Sequence, residues 1–176
     1  DTKVIDPEFA FFGPMGFDIG ALIANLLMSY FSQTGHERKI GERKIYKKWL
    51  LEIIKTIWVK FEKKFVKLWE TKNYGDAYPK VLFKKNSKKM ILEKKMYMQN
   101  LFEETVAYAG AKIIRRIYGF AHNIDFEWIE NTKVRANCEY KASNLAIEML
   151  KNTNSFKSIN HLIKVAKRNE NMKVKL

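Results

Sequence analysis

Apolar residues recur along the chain at steps of three and four, the spacing of one helical face. From about Glu42 to Thr71 the stripe is Tyr46, Trp49, Leu50, Ile53, Ile54, Ile57, Trp58, Phe61, Phe65, Leu68 and Trp69, with lysines opposite. This pattern predicts a long amphipathic helix whose three tryptophans pack in the core, and whose Lys44, Lys47, Lys48, Lys60, Lys63 and Lys64 form a solvated face. Before it, Ile19 to about Ser32 is largely apolar, which predicts a buried helix capped by Asp18. Lys3 to Phe12 reads as a short extended segment interrupted by Pro7. The turn Gly13-Pro14-Met15-Gly16 follows it.

After an irregular connection at 73–86, Ser87 is placed to cap a helical stretch from Lys88 to Tyr118, with room for a break, and Gly119 to end it. Asp125 and Glu127 begin a short helix. Val134 to Leu150 and Ser158 to Lys167 supply two more, and 169–176 reads as a frayed end. The fold expected is mainly α with a short β segment at the start.

Composition narrows the function. The chain has 176 residues, a net charge of +14 and one cysteine. A single cysteine excludes a disulfide framework and a Cys-rich zinc site. Cys138 reads as a small buried side chain, and His36, His122 and His161 lack metal-ligand spacing. No apolar run reaches the length of a membrane span, and the start lacks the features of a signal peptide. Neither membrane nor secretion is expected, so the localisation expected is cytoplasmic. The lack of an initiator methionine points to a piece of something longer.

The charge is concentrated: 19 Lys or Arg against 7 Asp or Glu lie between Glu37 and Lys95. The whole chain has 27 Lys but only 6 Arg. Phosphate and base recognition favour arginine for its planar fork of donors. The lysines therefore read as a solvated face, and no nucleic-acid partner is expected.

Two blocks carry candidate chemistry. In the first, Val4 to Gly20 reads VIDPEFAFFGPMGFDIG. Asp6 and Glu8 are two residues apart, so in extended backbone both point to one side, as hard oxygen ligands for Mg²⁺ would. In the second, Gly110 to Asp125 reads GAKIIRRIYGFAHNID. Arg115 and Arg116 project about 100° apart on a helix, so one can face a cleft while the other pairs with a neighbour. Read from the residues alone, Asp6 and Glu8 also fit surface charge, and the tandem arginine also fits two salt bridges at a helix end.

Together these blocks resemble S-methyl-5-thioribose kinases, which are related in fold to aminoglycoside phosphotransferases and protein kinases. The resemblance runs from Val4 to Gln33, takes in Tyr46 to Trp69, and resumes from Leu101 to about Leu150. It implies the C-terminal helical lobe of a protein-kinase-like (α+β) fold over residues 1–176. It implies Mg²⁺ at Asp6 and Glu8, in place of the protein-kinase Asp-Phe-Gly, and contact of Arg115 and Arg116 with methylthioribose. It places Asp18 as a brace for the catalytic loop. The implied reaction moves the γ-phosphoryl of ATP to the 1-hydroxyl of S-methyl-5-thioribose, in methionine salvage, and the implied assembly is a homodimer.

The family's His-Gly-Asp catalytic loop and its nucleotide-binding lobe do not occur in this sequence. The chain alone is therefore expected to be inactive. Two rivals remain: another small-molecule kinase of the aminoglycoside or choline type, and a non-enzymatic basic helical binding module.

Overall fold

The computed structural model describes residues 12–72, 78–79, 81, 83–84 and 87–173. Six α-helices follow in order: α1 Gly16–Ser32, α2 Lys44–Thr71, α3 Lys88–Tyr118, α4 Ile124–Glu127, α5 Thr132–Lys151 and α6 Ile159–Glu170. Short 3₁₀ turns lie at Gln33–His36 and Thr153–Ser155. There is no strand among the described residues. The expected extended segment, apart from Phe12, lies outside them, as do Asp6 and Glu8.

α1 is the axis of the core. Ile23, Ala24, Leu27, Met28 and Phe31 are fully buried, as its almost wholly apolar sequence requires. It packs along α3 in parallel. A methyl at Gly16 would meet Glu104 and Thr105 at 2.8–2.9 Å, and one at Gly20 would meet Thr105, Tyr108 and Ala109 at 2.7–3.0 Å. Only a residue without Cβ allows that approach.

Against the other flank of α3, Gly110 lets α5 come close, with Ala146 O 3.1 Å from where a Cβ would stand. α2 runs antiparallel to α3 through aromatic contacts. Trp58 meets Phe102 edge-on at 4.7 Å, Phe65 stacks on Tyr97 at 5.7 Å, and Trp69 meets Tyr97 at 5.0 Å.

Several expectations need correction. Asp18 does not cap α1: Met15 holds that place, and its side chain makes no capping bond. The Gly16 N–H instead donates to Glu104 Oε2 of α3 at 3.0 Å, so the helix start is satisfied from 88 residues away. Trp49 is not core. It is 51% exposed and stacks on Tyr46, off the side on which Leu50 and Leu51 are buried. α2 begins at Lys44, since Glu42 and Glu37 accept the backbone N–H groups of Arg38 and Gly41 in the preceding loop.

α3 is unbroken, and Ser87 caps it by accepting from the Met90 N–H. Asn123 and Asn131 cap α4 and α5. α6 runs on to Glu170, and both Asn169 and Glu170 are buried, so the frayed end does not begin at Asn169.

Candidate functional site

The last turn of α3 gathers positive charge. Its sequence, Lys112-Ile113-Ile114-Arg115-Arg116-Ile117, buries Ile113 and Ile117 against the core. Arg115 is thereby turned outward, exposed, while Arg116 and Lys112 are half-buried. The Arg115 carbonyl accepts the Gly119 N–H at 2.9 Å, closing the helix. Arg116 Nη1 donates to Ala121 O at 3.1 Å, and its Nε is buried without a partner. Neither arginine is in a salt bridge among the described residues. The pairing expected of two ordinary surface arginines is therefore missing on both among the described residues.

Lys112 was not singled out by sequence reasoning. Burial, and then the charges of Arg116 and Arg115, hold its ammonium below the ordinary lysine value. The i, i+3 and i+4 spacing carried the signal, and a reading confined to the two adjacent arginines passed over it.

Asp18 is exposed in the first turn of α1, where a negative charge suits the helix dipole. Gly20 lies beside Thr105 to Ala109, and Arg115 is six residues farther on, about 9 Å along the axis at 1.5 Å per residue. A hollow of about 350 Å³ lined by Gly13, Pro14, Met15, Tyr97, Asn100 and Glu104 marks where the chain enters α1. Among the described residues no three His, Cys, Asp or Glu side chains group as metal ligands.

A second polar cluster ties α1, α2, α5 and α6 together, and here Lys47 departs from the expected solvated face. Glu170 accepts from Lys47 Nζ and Thr34 Oγ1, while Lys141 Nζ donates to the Glu170 backbone carbonyl at 2.6 Å. Lys47 also lies over the Tyr30 ring, 5.5 Å from its centre. Burial, reinforced by Glu170, raises the Tyr30 hydroxyl well above the ordinary tyrosine value. These groups hold helices in place. Cys138 is buried, as expected, and burial pushes its thiol up to about 11. A thiol so held is a poor nucleophile at neutral pH.

No described helix is long and apolar enough to cross a membrane.

Comparison with known proteins bears out the resemblance. Methylthioribose kinase 1 of Oryza sativa subsp. japonica is 48% identical over 164 residues, which is 92% of this chain and 38% of that protein. Methylthioribose kinase of Escherichia coli O45:K1 (strain S88 / ExPEC) is 40% identical over 167 residues, 95% of this chain and 40% of that protein. Methylthioribose kinase of Bacillus cereus (strain B4264) is 38% identical over 151 residues, 86% of this chain and 34% of that protein. No family model matches the chain. The chain is a relative of the methylthioribose kinases, matched over 86–95% of its own length and spanning 34–40% of theirs.

Proposed function

We propose that this chain is the C-terminal helical lobe of an enzyme that transfers the γ-phosphoryl of ATP to the 1-hydroxyl of S-methyl-5-thioribose, in methionine salvage in the cytoplasm. The observation that carries the reading is the 48% identity over 164 residues to a methylthioribose kinase. The tandem arginine at the end of α3, unpaired with any carboxylate among the described residues, supports it.

Phosphoryl transfer needs positioning and charge neutralisation more than covalent chemistry. Arg115 and Arg116 orient the sugar or neutralise charge beside it. Arg116 is anchored by Ala121 O through Nη1. Asp18 braces the catalytic loop, which another part of the enzyme contributes, as it does the nucleotide lobe. The chain alone is then inactive, and the complete enzyme is a homodimer as in the family.

Asp6 and Glu8 are the proposed magnesium ligands. They lie outside the described residues, so the proposal rests on their Asp-x-Glu spacing and on the resemblance. Bound Mg²⁺ would neutralise phosphate charge. Asp6→Asn and Glu8→Gln should each raise the Mg²⁺ concentration needed for half-maximal turnover, and parental Mg²⁺ dependence in both would remove the assignment.

The function is tested by assaying the product of the complete coding sequence with ATP against methylthioribose, choline and an aminoglycoside. Turnover should be fastest on methylthioribose. A preference for either other alcohol, or no turnover on any, would contradict the reading.

A further inference from the structure

A cavity of about 660 Å³ opens where α1 ends, α2 begins and α6 ends. Its volume is that of a small-molecule site. It shares no residue with α3. Gly41, at φ 83, takes a left-handed turn that suits glycine and leads the loop into α2 at the cavity's edge.

The deep side is polar. Tyr30 is 4% exposed there and Glu170 7%. Glu170 Oε1 accepts from Lys47 Nζ and from Thr34 Oγ1. Its Oε2 is buried and has no partner among the described residues. A carboxylate oxygen shut off from water is costly without a donor. Burial, and then Glu170, keep the Tyr30 hydroxyl protonated, so it serves as a donor. The floor thus sets one donor beside one acceptor.

The sides and mouth differ from the floor. Leu51 and Ile163 make aliphatic sides, and Ile45 stands at the mouth, 85% exposed. Lys44, Lys48 and Lys167 are exposed at the same mouth, with Glu52. The fold brings two of these lysines from α2 and one from α6 to a single opening. A ligand matched to this arrangement has an edge that both accepts and donates, an apolar body and an anionic end. A fatty acid lacks the edge, and a sugar phosphate lacks the apolar body. A purine nucleotide has all three. Its base sets a ring acceptor beside an exocyclic amino donor, and its faces are flat and apolar. Its phosphate carries about −1.5 to −2 charge at pH 7 and suits lysine ammonium groups.

We propose that this cavity binds a purine mononucleotide, with the base edge on Tyr30 and Glu170 and the phosphate among Lys44, Lys48 and Lys167. The inference goes beyond the proposed function. It makes the junction of α1, α2 and α6 a joint that a nucleotide stabilises.

The test is isothermal titration of the 176-residue chain with AMP, without Mg²⁺. AMP should bind and raise the urea midpoint. Adenosine should bind about tenfold more weakly, having lost the charge-assisted contacts, and ribose 5-phosphate should give no measurable heat. Tyr30→Phe removes one donor and should weaken AMP by about tenfold. Ile45→Glu, at an exposed position, sets a like charge at the mouth and should weaken AMP at low salt. Urea midpoints show whether each variant folds, and Ile45→Glu decides if Tyr30→Phe does not.

Parental AMP affinity in Ile45→Glu, or in a folded Tyr30→Phe, would overturn the placement. Adenosine or ribose 5-phosphate binding as tightly as AMP, or no binding of AMP, would overturn the nucleotide assignment. Every arm is read as binding, so failure of the proposed function, read as turnover of the complete enzyme, stays separate.

Discussion

Cys138 shows what burial does to a single ionisable residue. Its thiol ionises near 9.0 in ordinary surroundings and near 11 in the folded chain, with burial the main cause and Glu170 the second. Above pH 9 the unfolded thiol loses its proton while the folded one keeps it. The native state then binds more protons, so stability falls as pH rises from 9 toward 11. Tyr30 acts in the same direction. Cys138→Ala should remove its share, up to roughly 2 kcal/mol near pH 10.5. Urea unfolding at pH 8 and 10.5 checks this, and an equal loss in parent and variant would contradict it. The buried thiol was legible in the sequence from the apolar periodicity around it. The pairing of Lys47 with Glu170 was not, because 123 residues separate them and periodicity sees only the local face.

At the scale of elements, α2 separates pattern from packing. The stripe from Tyr46 to Trp69 correctly predicts a helix with one apolar side. It cannot say how far the neighbouring helices reach along that side. Leu50, Leu51, Ile54 and Trp58 are buried, whereas Tyr46 and Trp49, on the edge of the stripe, and Leu68, near its end, stay open. Trp58→Ala should cost about 3–5 kcal/mol, since its ring is wedged between Phe61 and Phe102. Trp49→Ala should cost about 1 kcal/mol or less, losing only the stack on Tyr46. Denaturant midpoints of the two variants decide, and equal losses would show that Trp49 is packed as tightly as Trp58. Helix starts were less legible than helix bodies for the same reason. Glu104 of α3 supplies the partner at the start of α1 that local sequence assigned to Asp18.

At the scale of the whole molecule, the parallel contact of α1 with α3 places the tandem arginine at the C-terminal end of α3 and Asp18 beside the middle of that helix. The sequence blocks that contain them were legible because acids and arginines are unusual among so many apolar and lysine residues. Their separation along α3 was not, because it depends on which residues Gly16 and Gly20 meet. The central claim is that this helical lobe serves phosphoryl transfer to methylthioribose through the end of α3. The direct measurement is steady-state kinetics of the complete enzyme with Arg115→Met and Arg116→Met, after confirming that each folds. At least one variant should lose about tenfold or more in kcat/KM for methylthioribose, roughly 1.4 kcal/mol of barrier, with the KM for ATP near parental. Parental kcat/KM in both variants would contradict the account.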